Sequence, residues 1–135
     1  MKLLLAAALL LAANVHAATL TLELKGLTQK SGHVFIAVHS SAASFNGKGE
    51  PAAVRRVEVT DTKLTITLPD LAPGDYAVSL FHDANGNNKL DTNLIGIPKE
   101  GYAFSNNVGA RGRPAFDEAK FTLGADGTTL TLNVF

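Results

Sequence analysis

From Thr19 to Lys25 apolar and polar residues alternate strictly, with Leu20, Leu22 and Leu24 on one side and Thr19, Thr21, Glu23 and Lys25 on the other. A repeat of two marks a strand with one buried face, and Gly26 ends it. His33 to His39 repeats the pattern with Val34, Ile36 and Val38, while Phe35 and Ala37 make its second face nearly as apolar. This predicts a central strand covered on both sides. Val54 to Val59 is a weaker strand and Lys63 to Leu68 a strong one, and Asp61 between them predicts a hairpin. Pro69, Pro73 and Gly74 enforce a turn before Asp75 to His82, where Tyr76, Val78 and Leu80 alternate with Ala77, Ser79 and Phe81. Ala119, Phe121 and Leu123 mark a further strand. Asp126-Gly127 predicts a hairpin turn, after which Thr128 to Phe135 alternates again with Leu130, Leu132 and Val134 inward.

Two stretches break the alternation. Residues 40–53 are rich in Ser, Gly, Asn and Pro and read as a loop with Phe45 tucked beneath it. Residues 83–114 are dense in Asn and Gly and read as a long loop with little regular structure. About seven short strands separated by turn signals, without helical periodicity after the N-terminal segment, predict an all-β fold: an antiparallel two-sheet sandwich, immunoglobulin-like or transthyretin-like. An outer-membrane barrel fits poorly, because stepping back by twos from Phe135 gives the polar row Asn133, Thr131 and Thr129 where lipid would require apolar residues.

The N-terminus changes the picture of where this domain works. Lys2, the apolar run Leu3 to Ala13 and the small residues Val15 and Ala17 have the three-part plan of a cleavable signal peptide. The run is about half the length a membrane-crossing helix needs. Cleavage is expected after Ala17, with Ala18 the second choice, leaving a single domain over residues 18–135 in the periplasm or secreted. No cysteine is present, which removes lipid anchoring and disulfides. Without Lys2, eleven Lys and Arg stand against twelve Asp and Glu, a net charge of about −1. Such a balance offers nucleic acid and anionic lipid little attraction, and no membrane span is expected in the mature chain.

The candidate chemistry lies after the fifth strand. In Asp83-Ala-Asn85-Gly-Asn87-Asn88-Lys89-Leu90-Asp91, oxygen-bearing side chains occupy positions 1, 3, 5 and 9 of a calcium loop, with Lys89 at the main-chain position 7. A hard cation needs six to eight oxygens at short range, and alternate residues of a curled loop supply them. Asn88 stands where Gly is usual, and Leu94 stands where a bidentate Glu closes the site; Glu100 is a substitute from across the loop. The competing account is that these Asp and Asn side chains bond neighbouring backbone and stabilise successive turns. His33 and His39 share a strand face some 20 Å apart, which rules out one zinc or copper ion between them. These two, and His82 at the end of a different strand, read as strand-end histidines on a partly exposed edge. His82, Asp83 and Ser105 are the elements of a hydrolytic triad, but no serine sits in a nucleophile elbow.

The segments Pro73-Gly-Asp-Tyr-Ala-Val, Phe81-His-Asp-Ala-Asn-Gly-Asn, Leu90-Asp-Thr-Asn and Gly96-Ile-Pro-Lys-Glu-Gly-Tyr-Ala-Phe-Ser-Asn-Asn107 resemble the domain of unknown function 2141 family. The resemblance runs from about Leu20 to Phe135. It implies a bacterial exported protein without an established activity. It also implies that Asp83, Asn85, Asn87, Asp91, Asn93, Pro98, Glu100, Gly101, Phe104, Ser105, Asn106 and Asn107 form the characteristic surface. Family members commonly carry Gly where this chain has Asn88. The hydroxyisourate hydrolases of the transthyretin fold are similar in size and strand content, but they end in Tyr-Arg-Gly-Ser where this chain ends in Leu132-Asn-Val134-Phe135.

The resulting expectation is a non-catalytic exported sandwich whose polar loop, ordered by calcium, forms a binding surface. That surface comprises Asn93, Glu100, Tyr102, Phe104, Ser105, Asn106 and Asn107, and its partner is an envelope protein, a peptide or a glycan. Tyr102 and Phe104 suit such contacts, although at least one ring is expected to pack the loop down. The alternative is an enzyme acting on a small envelope metabolite through His82, Asp83 and Glu100.

Overall fold

Residues 16–87 and 101–135 are described by the computed structural model. Among them the alternating segments form β1 (Ala18–Lys25), β2 (His33–His39), β3 (Ala53–Glu58), β4 (Leu64–Leu71), β5 (Gly74–Asp83), β6 (Tyr102–Phe104), β7 (Phe121–Leu123) and β8 (Thr128–Asn133). One sheet has the order β4-β1-β8 and the other β3-β2-β5-β6, with β7 also paired to β5. Every pairing is antiparallel except β1 with β8, which is parallel. The facing sides of the two sheets make the core. Leu20, Leu22, Leu24, Ile66, Leu68 and Leu132 lie on one layer, and Val34, Ile36, Val38, Val78 and Leu80 on the other. Each such side chain contributes about 1.5–3 kcal/mol relative to leaving it in water. Among the described residues no helix is long and apolar enough to cross a membrane.

The expected hairpins are where the chain departs from its local signals. β3 belongs to the five-stranded sheet and β4 to the three-stranded one, so Asp61 turns the chain between layers. The local signal is genuine, because Asp61 Oδ1 accepts from the Thr62 N–H at 2.6 Å. The same holds at the other end. Gly127 has φ 89° and its N–H reaches Gly124 O at 3.0 Å, yet β7 joins β5 and β8 joins β1. A turn residue dictates the curl of four residues; which sheet receives the next strand depends on where an unpaired edge is waiting. β4 also continues through Pro69 to Leu71, where a turn was expected, because its pairing with β1 resumes beyond a bulge at Ala18↔Leu71.

β5 explains the remaining additions. Its even residues face the sandwich core and its odd residues face outward, and Ala77 is as buried as Val78. The outer face is covered by a second small core of Phe45, Ala77, Phe104 and Ala119, with Tyr102, Val108 and Phe116 packed against it. Phe45 comes from α1 (Ala42–Phe45), whose N-terminus is capped by Ser41 Oγ accepting from Ser44 N at 3.1 Å. Ala119 was expected in a strand but ends the one-turn helix α2 (Phe116–Ala119). Here tertiary covering of β5 overrides the alternation of three residues. The stretch 83–114 likewise contains β6 and a 3₁₀ turn at Ser105–Asn107, regular structure that composition did not indicate.

The open seam between the sheets is stitched by that turn and by the last residue. Tyr102 N–H donates to Phe135 O and Phe135 N–H to Tyr102 O, at 3.3 and 2.9 Å. Asn107 Nδ2 donates to Thr131 O at 3.1 Å and its Oδ1 accepts from Asn133 N at 2.8 Å, so one side-chain amide pairs with the edge of β8 as a neighbouring strand would. Asn106 and Asn107 both have left-handed backbones, φ 62° and 54°, which Asn tolerates better than most residues. Asn107→Gly keeps that conformation and removes both bonds. It should lower the unfolding free energy by about 1–3 kcal/mol, read as a lower urea midpoint at unchanged slope. An unmoved midpoint would show the seam to be indifferent to this clamp.

Candidate functional site

Alternation on β5 sends neighbours to opposite sides. His82 lies opposite Val34 on the core side, and Asp83 lies opposite His33 on the outer side. His82 was expected on a partly exposed edge but is buried, because β5 is interior to its sheet, and its Nε2–H donates to Ser31 O at 2.7 Å, which ties the 30–32 turn to the end of β5. Gly32 in that turn is obligatory: its φ is +70°, and a Cβ there would stand 1.9 Å from Asp83 O. Ser105 sits about four residues along β5 from His82, roughly 13 Å away. Its hydroxyl accepts from Val78 N at 2.9 Å and donates to Ala119 O, so it joins β5 to α2. The three triad elements are therefore not brought together. Glu100, the third member of the enzymatic alternative, lies outside the described residues.

The first turn of the candidate calcium loop is described as far as Asn87. Asp83 is 1% exposed. Its Oδ1 accepts from the Asn87 N–H at 3.1 Å, and Asn85 Oδ1 accepts from the same N–H at 3.2 Å. The chain thus curls until two side-chain oxygens converge on one positive group, as both the cation reading and the turn-stabilising reading require. Among the described residues no group of three or more His, Asp or Glu is placed to hold a metal. Lys89, Asp91, Asn93 and Glu100 lie outside the described residues, as do Asn88, Leu94 and Pro98.

The aromatic candidates divide. Phe104 is buried in the second core, 5.9 Å edge-on from Phe45, so it is the ring that packs the segment down. Tyr102 is half-buried, and its hydroxyl donates to Gly109 O at 2.9 Å. Asn106 Nδ2 donates to Glu118 O and Lys120 O at 3.0 and 2.8 Å, which fastens α2. The amides of Asn106 and Asn107 and the hydroxyl of Ser105 are thus engaged with main chain.

A row that the sequence reading did not single out crosses the outer face beside Tyr102. Register aligns Arg56, Phe35, Phe81 and Tyr102 across β3, β2, β5 and β6. Phe35 and Phe81 stack with centroids 5.1 Å apart and planes 17° from parallel, and the Arg56 guanidinium lies 5.6 Å from the Phe35 centroid. Arg56 Nη2 donates to His33 Nδ1 at 3.2 Å; a guanidinium accepts nothing, so Nδ1 holds a lone pair here. Both rings are half-buried, whereas the other end of this face lies beneath the second core. The apolar second face of β2 was the available signal, but the cross-strand register that aligns the row was not.

His39 corrects the expectation of an exposed edge histidine, because β2 is interior to its sheet and His39 is 7% exposed. Its Nδ1 lies 2.8 Å from Ser44 Oγ and its Nε2 3.0 Å from Ser79 Oγ. Ser44 is buried, and among the described residues its hydroxyl has no other acceptor than Nδ1, so it donates there. Nε2 then carries the proton and donates to Ser79, whose own hydroxyl is partly open to solvent. In this tautomer the imidazole draws no proton from Ser79, and the pair is structural. Arg113 stacks 4.6 Å from the Phe45 centroid and donates to Phe45 O, beside the histidine.

Burial, and then the charge of Arg113, hold the His39 pKa below its ordinary 6.5. The folded state therefore binds fewer protons than the unfolded one. The contribution of neutral His39 is complete above about pH 6.5 and is lost as pH falls through that value toward the lower folded pKa. Urea unfolding between pH 7.5 and 5 should show stability falling with acid, and His39→Gln should flatten that part of the slope. Equal slopes for the two proteins would place the acid sensitivity elsewhere.

The model of a family described as uncharacterized protein conserved in bacteria (DUF2141) matches residues 22–131. No curated protein and no solved structure matches the chain.

Proposed function

The chain belongs to this bacterial DUF2141 family, and from the geometry of its outer sheet face we propose that it is an exported, non-catalytic binding protein. The observation that carries the reading is the Arg56–Phe35–Phe81 row, two half-buried rings beside a guanidinium with donors to spare. Stacked rings provide apolar area at small entropic cost, and the guanidinium provides directional donors. A ligand that presents an apolar patch beside hydrogen-bond acceptors suits this face; envelope glycans, peptides and protein surfaces all offer that combination. Export is supported by the basic, apolar and small-residue order of residues 1–17. The absence of catalysis is supported by the separate engagement of His82, Ser105 and the His39–Ser79 pair.

Calcium belongs to the same reading as the ion that orders the rim of this face. Asp83, Asn85 and Asn87 would hold it with the main chain of Lys89 and with Asp91, and the convergence of the Asp83 and Asn85 oxygens supports this assignment. Bound calcium would supply charge that fixes the loop, with no part in bond making.

Two experiments test the reading. Millimolar calcium added to chelator-treated protein should raise the midpoint of thermal unfolding by several degrees, since saturation a hundredfold above Kd stabilises by about 2.7 kcal/mol. Asp83→Asn should remove most of that shift, and an unchanged midpoint in the wild type ends the calcium assignment. Separately, calorimetric titration with cell-wall oligosaccharides, extended peptides and envelope extracts should find one class that binds. Phe81→Ala should weaken that class about tenfold or more, by loss of roughly 1.4 kcal/mol or more of ring contact. Binding that ignores Phe81 and Phe35 would move the site off this face.

A further inference from the structure

The edges of the two sheets are treated unequally. β8 is covered by the Asn107 amide and β6 by the main chain of Phe135. On β7 the Thr122 carbonyl accepts from Thr128 Oγ1 at 3.4 Å. β4 runs on to Leu71 but is made irregular by Pro69, which has no N–H, and by Asp70 at φ 66°, and its outward Thr65 and Thr67 carry no charge. β3 differs from all of these. Its six residues contain no Pro, no Gly and no bulge, and among the described residues nothing pairs with the side turned away from β2.

The side chains on that edge are also unusual. Val54 is 67% exposed, the largest exposure recorded for a bulky apolar residue among the described residues. Arg55 and Arg56 follow it on opposite faces of the strand: Arg56 stands opposite outward-facing Phe35, and Arg55 opposite core-facing Ile36. Both are exposed, and neither forms an ion pair among the described residues. Arg56 is held in place by Phe35 and His33. A bare strand edge is a template for another strand, and this one carries a positive charge on each face.

We propose that the β3 edge is a docking site for an extended acidic peptide segment, which adds to the five-stranded sheet as a sixth strand. This edge is distinct from the stacked Phe35 and Phe81 rings of the outer face, and Arg56 belongs to both. Charge decides the occupant. A second copy pairing antiparallel along all six residues would set Arg55 against Arg56 twice, and like charges directly opposite repel. A strand with adjacent carboxylates sets one against each arginine. Main-chain hydrogen bonds then supply affinity and the alternating side chains supply selection.

The register fixes a probe. Antiparallel to β3, acetyl-Lys-Val-Glu-Glu-Val-Thr-amide sets Lys against Glu58, Val against Val57, the two Glu against Arg56 and Arg55, Val against Val54 and Thr against Ala53. Fluorescence anisotropy of this labelled peptide should show saturable binding at low salt that weakens as salt rises. Arg55→Glu with Arg56→Glu should weaken it at least about tenfold. The peptide Lys-Val-Lys-Lys-Val-Thr, which keeps Lys against Glu58 and exchanges only the two central charges, should bind that variant and not the wild type, which also shows the variant to be folded. Methylating alternate backbone nitrogens of the acidic peptide should abolish binding, because charge is kept while the ladder bonds are lost. The proposal is overturned by absence of binding at millimolar peptide, by equal binding of the methylated peptide, or by indifference to the charge reversal. It is overturned equally by a wild-type dimer that the charge reversal dissociates, since a second copy would then be the occupant.

Discussion

A ten-residue strand with apolar side chains on both faces, Tyr76, Val78 and Leu80 on one and Ala77 and Phe81 on the other, has to be covered twice, and β5 is that strand. Its even side chains are covered by the three-stranded sheet, as in any sandwich. Its odd side chains need a second cover, and three residues from three separate segments meet Ala77 of β5 there: Phe45 from α1, Phe104 from β6 and Ala119 from α2. The short helices and the 3₁₀ turn exist to serve that cover. None of them is long enough to be stable alone, so their conformations are consequences of packing on β5.

The cover is incomplete, and that is what shapes the candidate site. It protects the part of the outer face nearest Ala77 and leaves the part nearest Phe81 half-open. The Arg56–Phe35–Phe81 row and the first turn of the Asp83 loop lie at this second end. Burial elsewhere fixes the polar groups. His39, His82, Ser44 and Ser105 are buried polar side chains, and each has a partner that sets its role as donor or acceptor. An unpaired polar group in such a place costs about 1–3 kcal/mol, so histidines and serines that suggest chemistry in one dimension serve as fasteners in three. Freedom to meet an outside partner remains with side chains on the half-open face and on the edge of β3.

The Asn106-Asn107 pair shows how a polar motif is read two ways. In the sequence it belongs to an amide-rich surface. In the fold, left-handed backbone at both positions turns the amides inward along two strand-like edges, those of α2–β7 and of β8. Nothing local distinguishes an amide that faces a ligand from one that imitates a strand. The distinction needs the position of β8, which lies more than twenty residues downstream in the chain.

Alternation in Thr19–Lys25, His33–His39, Lys63–Leu68, Asp75–His82 and Thr128–Phe135 was enough to determine strands, their buried faces and a two-layer all-β fold, because the geometry of a strand acts residue by residue. Phe45 as a tucked ring, and Phe104 or Tyr102 as a ring that packs its own segment, were legible for the same reason: a large apolar side chain in a polar stretch has to be buried. Asp61 and Asp126-Gly127 were legible as turns but not as crossings between sheets. The parallel pairing of β1 with β8, the helical turn at Ala119 and the Arg56–Phe35–Phe81 row were decided only in three dimensions. Each depends on which edges and faces remain unsatisfied when the other strands are in place, and that is a property of the assembled layers, to which no short stretch of residues has access.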